Sequence, residues 1–168
     1  MRTITTRYPL ATALLCGGLV SGTIDIGVAC LITLLPPSVI LRSIASGLIG
    51  EAAFKGAVAT ALLGLFLQWG MSILIAAIYI AVTALSPGVR ARWRSAGVAA
   101  GVVIFVVMNY LVVPLSAAPF RTHLDVHSLL TQFTPFRFVA NLLAMILFGL
   151  IIAFFSRNST LGSASRRA

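Results

Sequence analysis

Four long apolar stretches, separated by short polar clusters, organise the chain. A helix needs about 20 predominantly apolar residues to cross a bilayer, and each stretch supplies that length. The pattern predicts transmembrane spans over residues 9–35, 56–85, 95–115 and 134–156. Their breaks are chemically clear. Pro36-Pro37 stops the first and Ser86-Pro87-Gly88 the second, while Pro135 suits the first turn of the fourth. The first run is too long for the 7–15-residue apolar core of a cleaved signal, so it reads as a retained span. The second run exceeds the crossing length and is expected to tilt or protrude.

Between the first two spans, residues 38–49 place Val39, Ile40, Ile44 and Leu48 at helical spacing, with Arg42 and Ser46 elsewhere on the wheel. The segment is too short to cross, and it predicts a helix lying in the membrane interface. Glu51 is expected to open the helix that becomes the second span, its charge suiting the N-terminal dipole and pairing with Lys55 four residues on. The expected fold class is all-α: an integral membrane four-helix bundle with a short interfacial helix between the first and second spans. Residues 1–156 form one domain, and the Ser- and Arg-rich residues 157–168 are expected to be a disordered cytoplasmic tail.

Composition agrees with a lipid environment. The chain is 60% hydrophobic and 9% charged, with a mean hydropathy of +1.07; a soluble domain carries about a quarter charged residues. The net charge of +9 does not signal nucleic acid, because the basic residues sit in short clusters between apolar runs. That is the pattern of the positive-inside rule. Arg2, Arg7, Arg90, Arg92, Arg94, Arg157, Arg166 and Arg167 fall on one side of a four-span topology. The other side holds Arg42, Lys55, Arg121 and Arg137, together with Glu51 and Asp125. The arginine-rich side, with both termini, is therefore expected in the cytoplasm. Eleven of the twelve cations are arginine, which hints at a GC-rich bacterial genome.

Each span also carries a face of small residues with a polar side chain beside it. Gly18, Gly22, Asp25 and Ala29 share a face of the first span; Gly56, Thr60, Gly64 and Gln68 repeat the device in the second. Gly97, Gly101 and Asn109 follow in the third, and Ala140, Asn141 and Ala144 in the fourth, one turn after Arg137. Small faces let helix backbones approach closely, which turns Asp25 towards protein. Counted from the outer ends, Asp25, Gln68, Asn109 and Asn141 lie roughly 9–17 Å deep at 1.5 Å per residue. Asp25, Gln68, Asn109, Arg137 and Asn141 are thus candidates for one polar layer in the outer half of the membrane. Arg137 is the best-placed cation for Asp25, with Arg42 and Lys55 as rivals. Such a layer has two readings: hydrogen-bonded glue between helices, or a site open to water that takes a proton, ion or small solute.

Two further groups bear on chemistry. His123, Asp125 and His127 would share a face of a strand, and the two histidines a face of a helix, so they are candidate metal ligands in an outer loop. No further protein ligand besides Asp25 or Glu51 is evident, and an ordinary polar loop is the competing reading. Cys16 and Cys30 are separated by fourteen helical residues, about 21 Å and far beyond disulfide reach. They read as packing residues. No metal, cofactor or nucleophile-elbow motif accompanies any of these groups, and no enzymatic activity is expected.

Three segments carry a resemblance: Gly22-Thr23-Ile24-Asp25-Ile26; Ser43 to Gly50 with Ala53-Phe54-Lys55-Gly56; and Met108 to Ala117. Together they resemble a family of small uncharacterised bacterial inner-membrane proteins with four predicted transmembrane helices. The resemblance covers roughly residues 17–117. It implies a bacterial cytoplasmic membrane protein and transfers no catalytic or binding residue. The function expected is that of a non-enzymatic structural, accessory or oligomer-forming membrane protein. Its partners would be the lipid bilayer and a homo-oligomer or larger membrane complex. The alternative is a small proton-coupled transporter or channel that uses Asp25 in an outward-facing polar layer.

Overall fold

The computed structural model describes residues 9–117 and 135–157. Among these, four helices are long and apolar enough to cross a membrane: α1 (Leu10–Thr33), α4 (Val58–Leu85), α6 (Trp93–Leu115) and α7 (Pro135–Ser156). Three shorter helices, α2 (Pro37–Ile49), α3 (Ala52–Lys55) and α5 (Pro87–Ala91), join them. The protein is an all-α multi-pass membrane bundle. Its 28-residue α4 is about 42 Å long, against a hydrocarbon core of about 30 Å.

Local chemistry explains the boundaries. The α1 helix ends where Leu34 enters the left-handed region (φ 58°) and donates its N–H to the Cys30 carbonyl. A left-handed residue past the last turn satisfies an orphan carbonyl, usually at glycine; here the exposed Leu34 takes that role. Pro37 then occupies the first position of α2, where its missing N–H has no partner to lose.

The single helix expected from Glu51 onward does not form. Glu51 precedes the one-turn α3, Gly56 is extended (φ −77°, ψ 150°), and α4 starts only at Val58. Glycine loses more backbone freedom in a helix than any other residue, and the chain turns there. No Glu51–Lys55 ion pair is formed among the described residues, both side chains being exposed.

Glycine sets the packing. A Cβ on Gly18 would lie 2.8 Å from the Ile73 Cα, and one on Gly22 would lie 2.5 Å from the Ser72 Oγ. Those approaches hold α1 antiparallel to α4. Gly97 and Gly101 do the same between α6 and α7: a Cβ on Gly101 would stand 2.5 Å from the Met145 carbonyl and the Ile146 Cα. The α1 and α7 helices meet where Gly17 faces Phe155. Ala76, Phe148 and Ile152 form the buried core, closed by Leu14 and Ile104.

The long helices are therefore packed in the order α4–α1–α7–α6, while α4 and α6 scarcely touch. At the end where α1 leads into it, α2 covers part of that seam. Its Leu41 carbonyl lies against Gly64 of α4, where any Cβ would overlap it. Its Gly47 carbonyl accepts the Ala117 N–H at 2.9 Å, just past α6. At the other end Arg90 closes α7, donating from Nε to the Arg157 carbonyl (3.3 Å) and from a terminal nitrogen to that of Ser156 (3.5 Å). A cation at a helix C-terminus meets both the free carbonyls and the dipole.

Candidate functional site

The polar residues in the half of the bundle nearer α2 are gathered by the same glycine contacts. With Gly22 against Ser72, the next turn of α1 carries Asp25 to α4. There Gln68 donates from Nε2 to the Asp25 Oδ2 at 2.8 Å. Two neighbours extend this seam. Trp69 donates its indole N–H to the Thr23 Oγ1 at 3.1 Å on the exposed side, and the Ser72 hydroxyl donates to the Gln68 carbonyl at 2.7 Å. Asp25 and Gln68 are both half-buried. No cation pairs with Asp25 among the described residues, so an amide dipole holds its carboxyl group.

A second pair joins α6 and α7. Asn141 donates from Nδ2 to the Asn109 Oδ1 at 3.1 Å, and Asn109 donates from its own Nδ2 to the Phe105 carbonyl at 2.8 Å. Backbone irregularity places Asn109. Met108–Val112 form a π-helical turn, in which the Val113 N–H reaches back five residues to the Met108 carbonyl. The cause stands just beyond. Pro114 has no N–H to give and its ring would press on the carbonyl four residues back, and a widened turn relieves both.

The expected layer is thus resolved into two bonded pairs, each across one helix contact, with no hydrogen bond between the pairs among the described residues. Arg137 lies one turn before Asn141, exposed on α7, and does not meet Asp25. Lys55 ends α3, exposed. Arg42 is half-buried on α2, and its Nε is buried without a partner.

Gln68 also lines a cavity of about 440 Å³ in the half of the α4–α6 seam nearer α2. Ile44 and Leu48 of α2, Met71 of α4, and Met108 and Val112 of α6 line it, together with Ser43 and Ser116. One face of the Asp25–Gln68 pair thus borders open space that is chiefly apolar.

His123, Asp125 and His127 lie outside the described residues. Among the described residues no three His, Cys, Asp or Glu side chains come together as a metal site. Cys16 and Cys30 are free, both within α1.

Some packing partners escaped the sequence reading. Gly149 was not among the small residues singled out, yet it meets Gly97 and Gly101 backbone to backbone. Its spacing, eight residues after Asn141, was the available signal. Ser72 and the Thr23–Trp69 bond carried no distinguishing pattern, because a serine or tryptophan in an apolar run is commonplace. No family model, curated protein or solved structure matches the chain.

Proposed function

We propose that this chain is a non-enzymatic protein of the bacterial cytoplasmic membrane, with both termini inside, that acts as a structural or accessory subunit. The observation that carries this reading is that the outer polar side chains consume one another. Gln68 satisfies Asp25 and Asn109 satisfies Asn141, each across a single helix pair. Groups spent on holding neighbours serve as adhesive, with interhelical hydrogen bonds of about 0.6 kcal/mol each in measured membrane cases. The arginine distribution supports the orientation, and the close-packed glycine faces suit a rigid subunit. Assembly with further copies or with a larger complex belongs to the same proposal.

One observation favours a second reading, a small proton-coupled transporter or channel. Gln68, the partner of Asp25, lines the outer cavity, and a carboxyl group inside a span is costly unless it is used or satisfied. Asp25→Asn separates the two readings. As adhesive, the variant lowers thermal stability or assembly in detergent, and wild-type proteoliposomes show no proton-coupled flux. As a transport residue, the variant keeps fold and assembly but abolishes a flux that wild type shows. Flux in wild type, followed by a pH-sensitive dye, would overturn the structural reading.

A further inference from the structure

The other half of the α4–α6 seam holds a larger opening, a cleft of about 660 Å³ at the end that carries Arg90, Arg92 and Arg94. Its volume falls within the roughly 300–1,000 Å³ of ligand sites. Ile78 and Val82 of α4 face Val103 and Ile104 of α6 across it, and Ile152 of α7 forms its floor. Of its polar contributors, Thr83, Arg92 and Ser95 belong to the end where α4 gives way to α6, and Tyr79 lies deeper along α4. A long apolar slot with a polar mouth has the shape of an amphiphile.

Charge says which amphiphile. Arg92 is exposed, and no carboxylate pairs with it among the described residues. Asp25 and Glu51, the only acids among those residues, belong to the opposite half of the bundle. The mouth is therefore an uncompensated cation. Tyr79 adds an independent sign: it contributes to the cleft wall, and its hydroxyl is buried without a hydrogen-bond partner. Tyr79 is six residues from the end of α4, about 9 Å down the helix axis, which suits the ester level of a lipid whose phosphate lies at that end. Finally, the cleft opens sideways between two spans whose flanking Ile78, Val82 and Val103 are exposed. Its natural supply is the bilayer itself.

We propose that this cleft binds one anionic phospholipid from the surrounding membrane, with an acyl chain between α4 and α6 and its phosphate on Arg92. The Tyr79 hydroxyl then donates to an ester or phosphate oxygen, gaining the acceptor that the protein does not provide. The bound lipid fills the gap that α4 and α6 leave and ties the two halves of the bundle together. The site is distinct from the Asp25–Gln68 pair and does not depend on the reading given to it.

Native mass spectrometry of the detergent-purified chain, titrated with phosphatidylglycerol or phosphatidylethanolamine, tests this. One phosphatidylglycerol is expected to be retained in preference to phosphatidylethanolamine. Arg92→Gln should reduce that preference about fivefold, the effect of one basic side chain at a membrane surface. Ala99 lines the cleft and is exposed, so Ala99→Trp fills the slot without disturbing a packed core and should abolish retention of both lipids. A thermal-shift series in the same lipids shows whether each variant is folded: phosphatidylglycerol should raise the melting temperature of wild type and not of Ala99→Trp. Retention unaffected by Ala99→Trp would overturn the proposal, as would a preference unchanged in Arg92→Gln. A dimer that covers the cleft and excludes lipid would overturn it too.

Discussion

Asp25 shares its hydrogen bond with an amide and not with a cation, and this governs how each residue of the two polar pairs should respond to change. Gln68→Leu removes the donor and leaves the carboxyl group unpartnered, which costs about 1–3 kcal/mol for a buried group. Asn141→Leu removes a single interhelical bond and should cost nearer ~0.6 kcal/mol. Asn109→Leu should cost more than Asn141→Leu, because it also removes the Asn109 side-chain bond to the Phe105 carbonyl. Unfolding in mixed micelles measures all three. A double-mutant cycle asks whether the four residues act as one layer. Coupling is expected within Asp25–Gln68 and within Asn109–Asn141. Changes in different pairs should add to within about 0.3–0.5 kcal/mol, as for sites without shared partners. Strong coupling between the pairs would restore the single layer. The polarity and depth of these residues were legible in the sequence, because helical period and distance from a span end are one-dimensional quantities. Their pairing was not, because it depends on which helices are neighbours.

For the helices, glycine divides into two populations that the sequence does not distinguish. Gly101 lies against the backbone of α7, so Gly101→Val forces the helices apart and should cost about 1–3 kcal/mol or prevent folding. Gly27 and Gly70 have nothing within 4 Å of an added Cβ. Gly27→Ala and Gly70→Ala should be neutral or stabilising by up to ~1 kcal/mol, through helix propensity alone. Thermal denaturation of the three variants side by side checks the contrast. The helix end at Leu34 offers a gain of the opposite kind. A non-glycine residue in the left-handed region costs roughly 1–2 kcal/mol, and Leu34 is 87% exposed, so Leu34→Gly gives up little packing and should raise the melting temperature. The break at Gly56 and the π-turn before Pro114 follow the same logic. Breaker residues announce that regular helix is interrupted, but the form of the interruption is decided by what packs around it. Residues 43–56 illustrate this. Helical spacing marks α2 as amphipathic, and only the fold sets its Leu41 carbonyl against Gly64.

The bundle as a whole is an open chain of helix contacts, α4–α1–α7–α6, whose unpaired flanks leave two cavities along one seam. Arg90 fastens the end of α7 to the loop between α4 and α6. Arg90→Ala should therefore speed amide exchange in the last turn of α7 by an amount corresponding to about 0.3–1 kcal/mol, with the rest of the bundle unchanged. The proposed orientation is checked by single cysteines in a background without Cys16 and Cys30. A cysteine at Gly88 should react with an impermeant maleimide only from the cytoplasmic side, and one at the exposed Glu51 only from the outer side.

Hydropathy, proline breaks and the scarcity of charge were sufficient to establish an all-α chain with four helices able to cross a membrane. Each rests on the solvent preference and backbone chemistry of residues taken in order. The stripes of small residues likewise announced close helix packing before any partner was known. Partner choice came from the tertiary structure alone: α1 with α4, α6 with α7, and no closure between α4 and α6. So did the division of the polar residues into two pairs and the exclusion of Arg137 from them. The physical reason is that in lipid every helix face is apolar or small, so composition hardly discriminates between neighbours. Steric fit between particular backbones does, and such fit exists only in three dimensions.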